Sequence, residues 1–292
     1  METVHVPVMP TEVLQYLDPQ PGQTIVDGTL GGGGHTRLIA DRVGPTGRVL
    51  ALDRDAIPIA RAEAEQACPP VVPLHASYHR LDRVCEMLEI DRVDGMLLDL
   101  GLSSDQLEDE SRGFSFRGDG PLDLRFDVGR GETAAELLQR LPEAEIANLI
   151  YQFGEERFSR RIARRIVEQR KQRAPVTTTS ELAALVRSCV PRSKNHSIDP
   201  ATRTFQALRI AVNEELSILQ QTLQQAFRWL KPGAPMVVIS FHSLEDRIVK
   251  YAFREQDHWD VLTKRPLTAT DQELSQNSRS RSAKLRAATA KG

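Results

Sequence analysis

Residues 23–35 constrain this chain more than any other stretch, reading Q-T-I-V-D-G-T-L-G-G-G-G-H. A β-branched run ends in Asp27 and Gly28, then passes into four consecutive glycines, Gly31 to Gly34, before a helix-like segment opens at His35. Strand, Gly-rich turn and helix start, in that order, build the ligand corner of an open α/β sheet. Glycine suits such a corner because it accepts positive φ and, lacking Cβ, lets backbone approach a ligand to contact. A second apolar run, residues 48–52, closes in Asp53, about 20 residues beyond the glycines, where a carboxylate meets a ribose hydroxyl pair. The implied ligand contains a nucleoside.

NAD(H) and S-adenosylmethionine are both read by such a corner. A dinucleotide sets its pyrophosphate over the helix N-terminus, whereas the sulfonium compound has no phosphate. The spacing here departs from G-x-G-x-x-G, and Asp27 before the turn would repel a pyrophosphate yet suit an ammonium group.

Alternation continues past the corner. Strands are expected at residues 24–27, 48–53, 71–74 and 93–99, with helices at 35–43, 56–67 and 78–89. Near-continuous apolar strands alternating with helices indicate a parallel sheet covered on both faces. Ligands of such sheets lie beyond the carboxyl ends of the strands, which brings Asp27, Asp53 and Asp99 to one edge. Beyond Gly101 the pattern stops. Residues 102–130 carry no usable periodicity, but Phe114, Phe116 and Phe126 argue for an ordered loop roofing the site.

Helical patterning then runs from Ala134 to about Val190. In residues 155–171, Arg157, Arg160, Arg161, Arg164 and Arg165 recur at helical spacing beside an apolar stripe of Phe158, Ile162 and Ile166. Residues 151–173 hold eight basic side chains against three acidic ones, a net of +5 in a chain whose formal total is -2. Arginine suits bidentate phosphate contact, so the expectation is an RNA-facing stripe, against the alternative of a solvated face balanced by acids such as Glu168. Residues 202–230 read as one long amphipathic helix ended by Lys231-Pro232-Gly233, and residues 235–241 as a fifth strand delivering His242 to the carboxyl edge. A hydrogen-bonding role suits His242 better than that of a base. The tail after Ser278 is basic, either a disordered arm or a last edge strand at residues 283–288.

Composition adds exclusions. Three cysteines, Cys68, Cys85 and Cys189, without C-x-x-C, argue against a zinc site or disulfide framework and for a cytoplasmic setting. No apolar run approaches the roughly 20 residues of a membrane span, and no signal pattern opens the chain.

Seven blocks together resemble one family, RsmH (MraW), across nearly the whole chain: V-D-G-T-L-G-G-G-G-H-T (26–36), L-D-L-G-L-S-S-D-Q-L (98–107), R-G-F-S-F-R-G-D-G-P-L-D-L-R (112–125), G-E-E-R-F-S-R-R-I-A (154–163), A-T-R-T-F-Q-A-L-R-I (201–210), I-S-F-H-S-L-E-D-R (239–247) and R-S-R-S-A-K-L-R (279–286). Departures are slight: four uninterrupted glycines where the family often has a side chain among them, and Ser278 where proline is common.

The resemblance implies an α/β fold, a Rossmann-like class I methyltransferase sheet with an inserted α-helical subdomain. Residues 1–104 and 201–292 would form the S-adenosylmethionine-dependent domain, and 105–200 the substrate-recognition insert. It implies a cytoplasmic enzyme methylating the N4 amine of a cytidine in the decoding region of 16S ribosomal RNA within the small subunit. Gly33, Gly34 and His35 would meet the methionine end of the cofactor, Asp53 the ribose, Tyr78 the adenine face, and Asp99 and Gln106 the rest of the pocket, with no metal. Asp99 is the catalytic candidate, as acceptor beside the amine. Phe114, Phe116 or Phe241 would offer a stacking face to the base. Monomer and homodimer stay open. The competing classes are an NAD-dependent oxidoreductase on the same sheet, which leaves the arginine stripe without purpose, and a non-catalytic RNA-binding protein, which leaves the carboxylate edge idle.

Overall fold

The computed structural model describes residues 6–64, 71–191, 199–255 and 257–292; Cys68 lies outside them. The chain divides into two compact units, residues 1–102 with 216–292, and residues 103–215.

The first unit is built on a seven-stranded sheet: β1 (Thr24–Asp27), β2 (Arg48–Asp53), β3 (Val71–His75), β4 (Gly95–Asp99), β5 (Pro235–Ser240), β6 (Trp259–Val261) and β7 (Lys284–Ala290). Strand order is β3-β2-β1-β4-β5-β7-β6, with β7 antiparallel to both neighbours and the remaining pairs parallel. Residues alternate between faces along each strand. Val26, Leu50, Met96 and Leu98 face one apolar layer, while Ile25, Val49, Leu97 and Val237 face the other. Helices α1 (Pro10–Leu17) and α2 (Gly34–Val43) cover the second layer through Val13, Leu17, Ile39 and Val43. Helix α3 (Ala56–Ala64) follows β2, and α4 (Leu81–Met87) sets Leu81 and Val84 into the first layer. The sheet is doubly wound, and its order reverses between β1 and β4, so a crevice opens beyond their carboxyl ends.

Three local expectations change. The fourth strand starts at Gly95, because Val93 instead makes an isolated bridge to Leu230. The expected helix at 78–89 is a 3-10 turn, Tyr78–Arg80, followed by α4. Of the expected helix at 56–67, residues 65–67 fall outside the described residues.

The second unit is helical: α5 (Ser104–Glu108), α6 (Ala134–Arg140), α7 (Glu143–Gly154), α8 (Ser159–Lys171), α9 (Thr179–Cys189) and α10 (Ala201–Asn213). The stretch without periodicity is ordered and contains α5 and a 3-10 turn, Glu110–Arg112. Ser103 and Gln106 close α5 with a reciprocal capping box, which satisfies end-of-helix N–H groups where too few turns exist for a hydrophobic pattern. Buried Arg112 donates to the carbonyls of Arg125 and Phe126 at 3.0 and 2.9 Å, and the Phe114 and Phe126 rings stack at 5.6 Å.

The helix expected at 202–230 is two helices, α10 and α11 (Glu215–Trp229), and the unit boundary falls at their junction. Glu214 turns to φ 52 there. Buried Asn213 is held by loop backbone, accepting the Phe126 N–H at 2.7 Å and donating to the Leu124 carbonyl at 2.7 Å. Amphipathic periodicity survives a one-residue break of this kind, which is why spacing alone reads straight through it. Helix α11 returns to the sheet with Ile218, Leu219, Leu223 and Trp229 in its first layer, joined by Val249 of α12 (Ser243–Ala252); α13 (Asp271–Gln276) precedes the last strand. The tail is neither arm nor edge, since β7 lies between β5 and β6.

Candidate active site

The corner after β1 is organised by carboxylates that hold it from below. Asp27, fully buried, accepts the Thr36 hydroxyl at 2.6 Å and the Thr29 N–H at 3.1 Å, tying the turn to the first turn of α2. Gly28 sits so close to β4 that a Cβ would meet Leu98 Cδ2 at 2.5 Å and Tyr78 Cβ at 3.0 Å. Gly33 caps α2 with φ 74, a left-handed conformation that suits glycine. Asp53 braces the far side: Oδ2 accepts the Gly31 N–H at 2.9 Å and Oδ1 the Asp55 N–H at 2.8 Å. Each oxygen of Asp53 keeps a second lone pair, the capacity a ribose hydroxyl pair needs.

Strand register sets the spacing. Asp27 is level with Ala51 on β2 and Leu97 on β4, so Asp53 and Asp99 both stand two residues further out, on the strands flanking β1. Two strand spacings separate them, about 10 Å. The Asp99 N–H donates to Thr29 Oγ1 at 2.7 Å, and its Oδ2 lies 3.6 Å from Nε2 of buried His35. Its Oδ1 is buried without a hydrogen-bond partner among the described residues. An acceptor so placed fits a ligand that brings its own donor.

Burial dominates the electrostatics here. Desolvation raises Asp27 above its ordinary range against hydrogen bonds from Thr36 and Thr29. It takes Asp53 to about 6, with the Asp55 and Gly31 N–H groups opposing, and Asp99 to about 7, with the charge of Arg279 opposing and those of Asp27 and Glu245 adding. Mutually repelling carboxylates at a sheet edge mark a functional site more often than a structural one.

The structure therefore brings together the glycines, His35, Asp53 and Asp99 around the β1/β4 crevice. Tyr78 opens the 3-10 turn beside Gly28 but is buried in the first apolar layer, so its ring is largely engaged by core. Gln106 belongs to the helical unit, where its Oε1 accepts the Ser103 N–H at 3.1 Å. His242 caps α12, accepting the Glu245 N–H at 3.4 Å on Nδ1 with Nε2 3.1 Å from Glu245 Oε1, a hydrogen-bonding role. Sequence reasoning misses Thr29, Thr36, Glu245 and Arg279. Thr29 carries a local signal, since a hydroxyl two residues after a strand-end Asp is a turn pattern, whereas Thr36 lies nine residues on, inside the helix. Arg279 carries none. Among the described residues there is no cluster of three or more side chains suited to a metal ion. No described helix is long and apolar enough to cross a membrane.

In the helical unit, α8 buries Ile162, Ala163, Ile166 and Val167. Each large aliphatic among them contributes about 1.5–3 kcal/mol of burial, so the opposite face can remain charged. Arg160, Arg161, Arg164 and Arg165 are exposed along that face, whereas Arg157 lies in the turn before the helix rather than on it. Glu156 accepts the Phe158 N–H at 2.7 Å there, delaying the helix start to Ser159. Arg165 pairs with Glu168 at 3.2 Å and Arg164 approaches Glu143 at 3.9 Å; Arg157, Arg160 and Arg161 form no ion pair among the described residues. Arg170 turns inward and donates to the carbonyls of Leu138, Gln139 and Leu141.

A doubly wound sheet of this order, with an antiparallel β7 and a Gly-rich turn facing strand-end carboxylates, is a Rossmann-like class I methyltransferase sheet. A sequence model of the MraW methylase family matches residues 2–291. The chain belongs to that family. It is 52% identical over 297 residues to Ribosomal RNA small subunit methyltransferase H of Rhodopirellula baltica, covering 98% of this chain and 91% of the relative. Proteins of the same name from Sorangium cellulosum and Pelobacter propionicus are 51% and 48% identical, each over 97% of this chain and over 90% and 97% of their own lengths.

Proposed function

We propose that this chain transfers a methyl group from S-adenosylmethionine to the N4 amine of a cytidine in the decoding region of 16S ribosomal RNA, in the cytoplasm. The observation that carries the reading is Asp99: a strand-end carboxylate 3.6 Å from His35, with one buried oxygen still free to accept a hydrogen bond among the described residues. The name shared by the relatives supports small-subunit RNA as the substrate, and the family resemblance supports the cytidine amine.

The residues present suit the cofactor. The backbone of Gly33, Gly34 and His35 would receive its methionine end, Asp53 its ribose, and Asp99 the remaining polar edge of this unit; Tyr78 would border the adenine. When bound, the sulfonium supplies an electrophilic methyl group. The chain's share of the work is alignment, which accounts for much of the rate in an in-line displacement. Asp99 is the acceptor placed to localise the amine lone pair and stabilise the charge that develops on nitrogen. It does so only when ionised.

The target base must leave its stack to reach this edge. Phe114 and Phe116 are engaged with Phe126 and Phe205, whereas Phe241 lies half-buried over Gly101 after β4 and is the stacking candidate. Arg160 and Arg161 are the arginines of α8 best suited to backbone phosphates. Labelled-methyl transfer to small ribosomal subunits, followed by mapping of the modified nucleotide, tests the proposal: one N4-methylated cytidine in the decoding region is expected, and label elsewhere or none refutes it.

A further inference from the structure

The C-terminal block R-S-R-S-A-K-L-R has no part in the corner that receives the cofactor, yet its basic side chains are not an exposed arm. Arg281 is exposed, Arg279 is half-buried and Arg286 is buried. Arg286 donates to Asp246 of α12 at 2.7 Å, with Lys284 at 3.5 Å from the same carboxylate, so this end of the block anchors the helix that carries Glu245.

Arg279 does something else. Its Nη2 donates to the Leu102 carbonyl at 2.5 Å, a bond spanning 177 residues of chain. Leu102 ends the turn that leaves β4. Within that turn the Leu100 N–H is held by Ile239 O at 3.0 Å, and Gly101, at φ 113, lies against the Phe241 ring. The bond from Arg279 therefore pins the far end of a turn whose near end is Asp99. Among the described residues, four ionisable groups act on Asp99 from four elements: His35 of α2, Asp27 of β1, Glu245 of α12 and Arg279 of the turn before β7. Arg279 alone among them is always cationic.

We propose that Arg279 is a positioning residue of the methyl-transfer site, fixing the turn after β4 through Leu102 and supplying the cation that Asp99 faces. The proposal rests on the reading of Asp99 as the acceptor beside the reacting amine. Without that cation, Asp99 would share its pocket with two like charges and hold its proton to higher pH, leaving no acceptor for the amine. An ammonium in the same place keeps the charge but loses the planar fork that reaches Leu102.

The test compares Arg279→Gln, Arg279→Lys and the exposed control Arg281→Gln, after thermal melts confirm folding. The first readout needs no cofactor: the carbon-13 carboxyl titration of Asp99, assigned by Asp99→Asn. R279Q is expected to move its midpoint up by about one pH unit, R279K by much less, and R281Q not at all. The second readout is the pH dependence of kcat, whose acid limb follows the same displacement, with the KM for S-adenosylmethionine changing far less than kcat. An unmoved midpoint in R279Q, or an equal movement in R281Q, overturns the role of Arg279 while methyl transfer by the parent stands. If the parent transfers no methyl group, the reading of the site fails instead. Should R279Q not fold, R279K decides: turnover about tenfold lower with the midpoint displaced by well under one pH unit is expected, and parental turnover overturns the proposal.

Discussion

Replacing Asp99 by Asn is expected to make the ligand-free protein more stable at pH 8 while abolishing methyl transfer. Burial lifts the Asp99 carboxyl from its ordinary 3.8 to about 7. Between those values the unfolded chain releases its proton and the folded chain keeps it, so this group makes the native state progressively less stable as pH climbs, levelling off above about 7. A displacement of that size corresponds to about 4 kcal/mol at most, less whatever the pocket recovers by relaxing or admitting water. Asn keeps the shape and drops the charge. Urea unfolding of parent and D99N, run in parallel from pH 4.5 to 8.5, would show a stability difference of about 1 kcal/mol or less at the acid end, growing to a few kcal/mol at the alkaline end. A difference that stays flat with pH would refute the claim that Asp99 is a desolvated carboxylate. The site then gives up stability for an ionised acceptor, a common trade at active sites.

Three further outcomes follow from the packing and charge pattern. Gly28→Ala is expected to cost about 1–3 kcal/mol, because the added methyl lands 2.5 Å from Leu98 Cδ2 and 3.0 Å from Tyr78 Cβ, and the fully buried Leu98 side chain must shift within a packed core; an unchanged melting temperature would contradict it. Asn213→Ala removes both bonds that hold the loop to the end of α10, leaving a buried carbonyl and N–H unsatisfied, and should destabilise the protein by roughly 2–3 kcal/mol in urea unfolding. Charge reversal at Arg160 and Arg161 should weaken RNA binding and reduce the salt slope by about one for each phosphate that is no longer neutralised, leaving S-adenosylmethionine affinity intact; an unaltered slope would remove the stripe from the interface.

Much of the sheet can be read directly from the chain. Strands β1 and β2 begin and end where the β-branched run of the one and the apolar run of the other do, because both faces of their inner residues are buried. Asp53 and Asp99 are legible for the same reason, as the first polar residues after apolar strands. Breaks are not. Glu214 interrupts a perfectly periodic helix because Asn213 bonds to a loop some 90 residues earlier, and periodicity carries no record of a partner so distant. The basic tail misleads in a similar way: its charge suggests an exposed arm or an edge, whereas Asp246 neutralises Arg286 inside the sheet. Arg279 is illegible for want of any local pattern, since the carbonyl it reaches at Leu102 is 177 residues away.

The central claim is that the Gly-rich turn and the strand-end carboxylates form a cradle for a sulfonium-bearing nucleoside. Calorimetric titration of the protein and of Asp53→Ala with S-adenosylmethionine, and with NAD as the phosphate-bearing control, tests it most directly. The account predicts that the parent binds S-adenosylmethionine and not NAD, and that D53A binds it at least about tenfold more weakly. Equal affinity for NAD, or a D53A variant that binds as tightly as the parent, would contradict it.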